Sequence, residues 1–326
     1  MEQSKPLVSI IIPVLNEEKN IRDCLISLKK QSYPNIELIV VDNGSVDATL
    51  QIAAECGAHK IIHQNHPGIT YAKNSGIREA SGELIATTDA DCEADSLWIE
   101  TLVTSFTGPS IASCGGANLV PPNSTDFEKC VDNLLNSLGG ISGSKYISHK
   151  QLLSETNHNP GCNVMYRRLV LQELGGFNER LLTVEDEELD FRILKKGYKI
   201  LYNPGAKVYH KRRSDGKKFF KQMYRYAIGR TQFFLSAPRL SQWPRFMPSA
   251  LLLGNALLFT SLFFYPSMIP ALQWEITAGL GGWFILACVL ATKTQKKYFA
   301  FYMQLIFILF FAWAIGSLRG ISYKQS

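Results

Sequence analysis

The sequence predicts an α/β fold, with a mostly parallel sheet between helices, over about the first 210 of its 326 residues. Short apolar runs alternate there with amphipathic stretches, at the spacing of strand–helix–strand units, which favours a parallel sheet covered on both faces. The charge is divided unevenly: residues 1–210 hold 19 Lys or Arg against 26 Asp or Glu, and residues 211–326 hold 15 against 2. Long stretches without any charge interrupt this basic part, so we expect a membrane-associated segment after the α/β fold.

The individual elements follow from hydrophobic periodicity. Strands are expected at Val8–Pro13, Glu37–Asp42, Glu83–Asp89 and Lys199–Tyr202. Helices are expected over 17–31, 46–56, 95–106, 124–137 and 184–196. Asn16 is placed to cap the first helix, which carries acids in its first turn and lysines in its last, as the helix dipole favours. Gly197 is expected to end the helix over 184–196.

Several classes of function are not indicated. The seven cysteines are scattered singly and form no Cys-x-x-Cys, so neither a zinc ribbon nor a dithiol redox site is predicted, and a reducing compartment suits them best. The first strand is followed by Pro13–Glu17 instead of Gly-x-Gly-x-x-Gly, which counts against a nicotinamide dinucleotide site. No P-loop motif occurs, and no signal peptide is expected at the N-terminus.

The C-terminal part has the composition of a membrane-attached segment. Residues 211–245 contain ten Lys or Arg and one acid, interleaved with aromatic residues, which is typical of an amphipathic helix on an anionic membrane surface. A solvated basic helix or a nucleic-acid patch has a similar composition, but the position before the first apolar run favours the membrane. Uncharged runs of 29, 17 and 21 residues follow at 246–274, 276–292 and 298–318. A bilayer core needs about 20, so we expect about three transmembrane helices within 246–326.

Two predicted strands end in aspartate, at Asp42 and at Asp89. Ligands of open parallel sheets bind at the carboxyl ends of the strands. The second strand continues as Asp89-Ala90-Asp91, and two carboxylates one residue apart can converge on Mg²⁺ or Mn²⁺ while leaving coordination positions for substrate phosphates. Because Asp-x-Asp is also common in solvated turns, the prediction of a metal site depends on the apolar strand that precedes it.

Taken together, the sequence motifs resemble those of the family 2 glycosyltransferases, which have a GT-A nucleotide-sugar-binding domain. The matching segments occur in family order over about two-thirds of the chain: Val8–Glu17, Glu37–Asp47, Ala72–Gly82, Thr88–Asp91, Gly161–Asn163, Gly175–Phe177 and Val184–Arg192. Each segment alone is weak evidence for the family, whereas the whole set in this order is specific to it. The basic stretch and the apolar tail are similar to the membrane-attached exopolysaccharide branch of succinoglycan type.

The resemblance implies a donor site and a metal site. The donor contacts that it implies are Pro13, Asn16, Glu17, Asp42, Lys73 and Asp89. Asp42 would hydrogen-bond the nucleotide base, and Asp91 would bind the metal with Asp89 beside it. Some family members use a histidine at the position of His210 as a further metal or diphosphate ligand. Family members often have Arg where this chain has Lys73, and a lysine lacks the bidentate fork of arginine.

The resemblance also implies a catalytic base, Asp186, and a group of acceptor or substrate contacts. Those contacts are Gly161, Glu185, Gln222, Arg225 and Tyr226. Residues 222–226 nearly match the Gln-x-x-Arg-Trp motif of processive family 2 synthases, with Tyr226 in place of Trp, and ordinary interfacial anchors would look the same. Thr183-x-x-Asp186 also resembles a helix capping box, so the residues alone leave a structural role for Asp186 open.

Together these observations predict a metal-dependent, inverting glycosyltransferase that uses Mg²⁺ or Mn²⁺. It would move a sugar from a nucleotide-sugar donor to a lipid-linked or saccharide acceptor in cell-surface or exopolysaccharide synthesis. The expected organisation is a GT-A domain over 1–210, a basic interfacial segment over 211–245 and a membrane domain over 246–326. The chain would be multi-pass in the inner (plasma) membrane, in contact with membrane lipids, with the catalytic domain cytoplasmic and no nucleic-acid partner.

Three alternatives stay open at the level of sequence. A polyprenyl-phosphate sugar synthase transfers to a lipid phosphate, which needs no general base. A sugar nucleotidyltransferase shares a related sheet but would have a Gly-rich, Arg-containing loop after its first strand. A non-catalytic membrane scaffold or translocation partner would not need the aspartates at the predicted site, which are Asp42, Asp89, Asp91 and Asp186.

Overall fold

The computed structural model describes residues 5–66, 68–137, 152–238, 243–244, 246–261 and 269–323. Two compact units are present, one of Met1–Pro122 with Ser142–Lys211, the other of Asn123–Ile141 with Arg212–Ser326. The first unit ends at Lys211, and the expected segments 1–210, 211–245 and 246–326 stay predictions. The sequence did not indicate that 123–141 belongs with the C-terminal unit.

The first unit is an α/β fold, as predicted, and in the described residues its mixed sheet has nine strands. Its strands are β1 (Val8–Val14), β2 (Ile36–Asp42), β3 (Lys60–His63), β4 (Leu84–Thr87), β5 (Cys92–Ala94), β6 (Ile111–Leu119), β7 (Ser154–Glu155), β8 (Val164–Arg167) and β9 (Lys199–His210). The order is β3-β2-β1-β4-β8-β6-β9-β5, with β7 beside β9. The four strands from β3 to β4 run parallel, and β8 enters antiparallel between β4 and β6.

The five helices predicted from periodicity, over 17–31, 46–56, 95–106, 124–137 and 184–196, are each shorter in the structure. In the first unit the helices of the described residues are α1 (Ile21–Lys29), α2 (Thr49–Glu55), α3 (Ile69–Glu79), α4 (Trp98–Thr104), α6 (Arg168–Glu173) and α7 (Glu185–Lys195). In the second unit they are α5 (Asp126–Ser137), α8 (Gly216–Ser236), α9 (Met247–Ser261), α10 (Ile269–Lys293) and α11 (Phe299–Ser322). Gly197 follows α7 with a φ of 86°, so the predicted glycine stop is confirmed.

Successive side chains of β1 point to opposite faces of the sheet, and both faces are buried, which explains why the strand is apolar throughout. Ile10 and Ile12 pack into one cluster, on the face covered by α1 and α4. Ile11 packs into the other cluster, with residues of α3, α6 and α7. Since both faces are covered by helices, nearly every residue of the strand is buried, as expected for the parallel part of such a sheet.

The predicted cap of the first helix is wrong. The helix begins at Ile21 after Asn20, and Asn16 lies in the left-handed region with a φ of 56°. The Asn16 side-chain oxygen instead accepts a hydrogen bond from the backbone N–H of Val46, at 2.9 Å. Asn16 therefore joins the loops after β1 and β2, a partnership that local sequence rules do not reveal.

In the second unit, α8 packs closely along α11. A Cβ added at Gly316 would lie 2.5 Å from the backbone oxygen of Tyr224, and one added at Gly320 would lie 2.9 Å from that of Ile228. Small residues at this spacing let two helix backbones approach. The apolar face of α8, which was predicted to face lipid, is thus covered by protein, and Lys217, Lys218 and Lys221 are exposed.

Among the described residues, one helix, Lys296–Ser322, is long and apolar enough to cross a membrane. The apolar segments Met247–Leu257 and Gly281–Lys293 are shorter. Of the three predicted spans, only the third meets this criterion of length and composition, and the first two stay predictions.

Candidate active site

The loops that follow β1 and β2 lie side by side at the carboxyl edge of the sheet. The register pairs Val14 with Asp42, so both strands end at the same level. Backbone N–H groups after β1 donate to side chains after β2: Asn16 to Ser45 Oγ at 2.9 Å and Glu17 to Thr49 Oγ1 at 2.7 Å. Pro13 is half-buried on β1 itself. The structure thus brings together the residues predicted for the nucleoside pocket.

Asp42 stabilises the turn that leaves β2. It is 3% exposed, and its carboxylate accepts hydrogen bonds from the N–H groups of Gly44 and Ser45 at 3.1 and 3.0 Å. A carboxylate has about four lone-pair positions, so these two bonds leave capacity for a ligand donor.

Asp89, Asp91 and His210 form one cluster at the next part of the edge. One ligand atom of each lies within 4.8 Å of the others. Asp91 Oδ1 is 3.3 Å from His210 Nε2. The antiparallel pairing of β5 with β9 places Cys92 opposite His210, which brings the end of β9 to the Asp-x-Asp turn. Two carboxylates and one imidazole are a donor set that suits a divalent cation such as Mn²⁺.

The ionisation of this cluster also fits a cation site. Burial, together with Cys162 and Asp91, raises the pKa of Asp89 to about 7. Burial would lower the pKa of His210, but Asp91 and Cys162 raise it to about 10. Without a cation, Asp89 and His210 thus tend to keep their protons, which reduces the repulsion between the neighbouring carboxylates. A divalent cation would replace these protons.

Asp186 lies in the first turn of α7 and is held by the segment before β8. Its carboxylate accepts hydrogen bonds from the N–H groups of Gly161 and Glu187, both at 2.8 Å. The N-cap of α7 is Val184, with a φ of 61°, and not Thr183. The predicted capping box is therefore wrong, since Asp186 stands one position too close to the helix start.

A buried ion pair lies beside Asp186. Lys73 of α3 donates to Glu185 at 2.6 Å, with side-chain exposures of 2% and 7%. Burial would lower the pKa of Lys73, but Glu185, Asp89 and Asp186 hold it above its usual value. The predicted donor contact of Lys73 and substrate contact of Glu185 stay predictions, because in this structure the two side chains bind each other.

Gly161 fits closely between these charged groups. A Cβ at this position would lie 2.8 Å from Lys73 Nζ and 3.2 Å from Asp186 Oδ2. The carbonyl of Gly161 accepts from Thr87 Oγ1 of β4 at 2.5 Å. A larger residue would displace the ammonium or the carboxylate, so Gly161 positions Asp186 through its backbone.

His158 was not singled out by the sequence. Its Nδ1 lies 2.8 Å from Asp190 Oδ2 of α7, and both residues are almost wholly buried. Burial would lower the pKa of His158, but Asp190 and Asp186 raise it to about 9. Burial would raise the pKa of Asp186, but His158 and Lys73 hold it below its ordinary value. The one feature of the sequence that could have indicated a role for His158 is its position just before the Gly161–Asn163 motif.

Gln222, Arg225 and Tyr226 lie on α8, in the second unit. Gln222 Nε2 is 3.5 Å from the hydroxyl of Tyr226, one helical turn away. The proposed substrate role of these three residues stays a prediction.

The comparisons with known proteins identify the class. Residues 9–175 match the profile described as "Glycosyl transferase family 2", so the chain belongs to this family and is a glycosyltransferase. Glycosyltransferase AglE of Haloferax volcanii is 29% identical over 243 residues, 72% of this chain and 76% of that protein. A Methanococcus voltae enzyme, dolichyl N-acetyl-alpha-D-glucosaminyl phosphate 3-beta-D-2,3-diacetamido-2,3-dideoxy-beta-D-glucuronosyltransferase, is 27% identical over 68% of this chain and 72% of its own length.

Solved structures support the GT-A fold. The mannosyltransferase PcManGT of Pyrobaculum calidifontis, in complex with GDP-Man and Mn²⁺, matches with a TM-score of 0.60 and 20% identity, over 97% of this chain and 88% of that one. The structure of GalNAc-T7 with UDP, GalNAc and Mn²⁺ matches with a TM-score of 0.52 and 17% identity, over 73% of this chain and 51% of that one. The predicted succinoglycan-type branch stays a prediction.

The His158–Asp190 pair predicts a loss of stability in alkaline solution. Because the folded-state pKa of about 9 exceeds the ordinary 6.5, protonated His158 stabilises the fold fully below about pH 6.5, and this contribution is lost as the pH rises through 9. Thermal denaturation from about pH 6 to about pH 10 should show a smaller fall for His158→Gln than for the parent chain. The exposed His66 is the matched control, and His66→Gln should follow the parent curve. Parallel curves for the parent and His158→Gln would contradict this role.

Proposed function

We propose that this chain is a metal-dependent, inverting glycosyltransferase that transfers a sugar from a nucleotide-sugar donor to a hydroxyl of a lipid-linked acceptor. The observation that carries the proposal is that Lys73 interacts both with the Glu185–Asp186 pair and with Asp89, which belongs to the candidate cation cluster with Asp91. The Lys73 ammonium interacts electrostatically with Asp89 and Asp186 at once. A cation site and a carboxylate base at one sheet edge are what glycosyl transfer from a nucleoside diphosphate requires.

The donor would lie along the loops after β1 and β2. Asp42, already fixed by two N–H groups, would accept a hydrogen bond from the base, and Pro13, Asn16 and Glu17 would line the nucleoside pocket. PcManGT, with GDP-Man and Mn²⁺ in its complex, supports a nucleotide-sugar donor and a divalent cation in this fold.

Asp91 and Asp89, with His210, would hold Mg²⁺ or Mn²⁺ against the donor diphosphate. When bound, the cation would stabilise the negative charge that develops on the leaving diphosphate. Asp89 would also contact the ribose side of the donor. The ligand atoms of these three residues already lie within 4.8 Å of one another, so they need little rearrangement to receive the cation.

Asp186 would act as the general base. The cationic His158 and Lys73 and the Gly161 N–H keep its carboxylate ionised at neutral pH, although burial opposes this. It would take the proton of the acceptor hydroxyl, and the acceptor oxygen would attack the anomeric carbon on the face opposite the leaving diphosphate. An α-linked donor would thereby give a β-linked product.

We propose that the acceptor is carried on a lipid. The Methanococcus voltae relative is named for a dolichyl-linked substrate. The candidate span Lys296–Ser322 would keep the enzyme at the bilayer that carries such acceptors. The exposed lysines of α8 would face anionic lipid on the cytoplasmic side. This proposal keeps the expected segments 1–210, 211–245 and 246–326, and a role in cell-surface or exopolysaccharide synthesis.

Asp186→Asn tests the base directly. The amide cannot take a proton, so transfer should fall by about 10²–10⁴-fold, the usual contribution of general-base catalysis. Binding of the nucleotide sugar should change little, because the base contacts the acceptor. Steady-state transfer and calorimetric donor binding measure the two effects separately.

Glu187→Gln is the matched control, since it neutralises the next acid of the same helical turn and should retain most transfer. Near-normal transfer by a folded Asp186→Asn protein would place the base elsewhere. Such a result would favour the polyprenyl-phosphate synthase, whose phosphate acceptor needs no base.

The topology has its own test. With the catalytic unit cytoplasmic and three spans, Lys293, Lys296 and Lys297 lie in a cytoplasmic loop, as the positive-inside rule requires. A Gln295→Cys variant should therefore react with a membrane-impermeant thiol reagent in inverted vesicles and not in right-side-out vesicles. The parent chain, whose half-buried Cys56 and Cys288 set the background, is the control. Labelling of residue 295 from outside would contradict the model of three spans.

A further inference from the structure

His210 belongs to two possible metal sites. Besides the carboxylate cluster, it forms a second cluster with Cys92 and Cys162, in which the ligand atoms also lie within 4.8 Å of one another and all three residues are buried. The two sides of the imidazole ring face different partners. Nδ1 lies 3.8 Å from Cys162 Sγ, and Nε2 lies 3.3 Å from Asp91 Oδ1.

The fold builds the second cluster from two strands, β5 and β9, and the segment just before β8. The β5–β9 pairing sets Cys92 directly opposite His210. Cys162 stands just before β8, and Asn118 of β6 donates a hydrogen bond to its sulfur at 3.1 Å. An N–H donor aimed at the sulfur would stabilise a thiolate in the way that outer groups support metal-bound ligands.

The chemistry of the two clusters differs. Two sulfurs and an imidazole form a soft donor set, which selects Zn²⁺, whereas the carboxylate cluster suits Mg²⁺ or Mn²⁺. We propose that Cys92, Cys162 and His210 form a Zn²⁺ site next to the catalytic carboxylates, and that Zn²⁺ bound there inhibits sugar transfer. The inhibition rests on the proposed function, whereas the binding does not.

The inhibition follows because a neutral imidazole has only one ring nitrogen with a lone pair, so His210 can bind one cation and not two. Binding replaces the proton of each thiol and the Nδ1 proton of the protonated imidazole by the cation, so that three protons are released and nothing is oxidised. With Zn²⁺ on Nδ1, the remaining ring proton is on Nε2. That nitrogen can then only donate to Asp91 and is lost as a ligand for the cation between Asp89 and Asp91.

Co²⁺, an optical substitute for Zn²⁺, tests the site without any activity assay. Titration of the full-length metal-free protein, kept reduced with a phosphine, should give a thiolate-to-cobalt charge-transfer band that saturates at one equivalent and disappears when Zn²⁺ is added. Cys92→Ser and Cys162→Ser should each abolish the band or weaken Co²⁺ binding by at least about tenfold. Cys114→Ser, a buried thiol outside the cluster, should keep the band.

Folding of each variant is checked by thermal denaturation. If one cysteine variant does not fold, the other still decides the question. A parent protein without the band, or a folded Cys92→Ser protein with an unchanged band, would overturn the proposed site.

The inhibitory effect is measured separately, as transfer at fixed Mn²⁺ with increasing Zn²⁺. The parent should lose transfer at a Zn²⁺ concentration at least about tenfold below the one that inhibits Cys92→Ser, each relative to its own zinc-free rate. Equal sensitivity of the two proteins would overturn the inhibitory role. A cobalt band in a parent protein that transfers no sugar would support the zinc site and contradict the proposed function. Failure of the zinc site can therefore be distinguished from failure of the proposed function.

Discussion

The arrangement of the carboxylates at the candidate active site depends on the buried ion pair of Lys73 and Glu185. Removing one partner of such a pair leaves an uncompensated charge and costs about 3–5 kcal/mol. The pair joins α3 to the first turn of α7, so the next residue, Asp186, is fixed against the backbone of Gly161. His158 and this ammonium together keep Asp186 ionised, because their positive charges lower the pKa of that carboxylate in a place where burial alone would raise it.

Gly161 links this pair to the sheet. Its carbonyl is bonded to β4 and its N–H to Asp186, and its lack of a side chain leaves room for Lys73 Nζ. β4 also leads into Asp89 and Asp91, so one strand determines the position of both acidic groups. The long strand β9 completes the edge by bringing His210 to the turn that carries Asp91. The site is thus assembled from five segments that are far apart in sequence.

The strands and the position of the site could be predicted from the sequence because their causes are local. The apolar runs before Asp42 and Asp89 are buried on both faces, and the ends of parallel strands coincide at one edge. The partners of Asn16 and Lys73 could not be predicted, since Val46 and Glu185 lie 30 and 112 residues away. Composition could not show that α8 packs its apolar face on α11, because the same face would serve equally well against lipid.

The proposed function requires Asp91 to help hold the cation through which the donor diphosphate binds. Calorimetry of nucleoside diphosphates of each common base, with and without Mn²⁺, tests it most directly. The parent chain and Glu93→Gln, which alters a β5 acid outside the cluster, should bind one of these nucleotides much more tightly when Mn²⁺ is present. Asp91→Asn should lose this enhancement while its thermal denaturation shows a retained fold. Undiminished Mn²⁺-dependent binding by Asp91→Asn would show that Asp91 does not hold the cation.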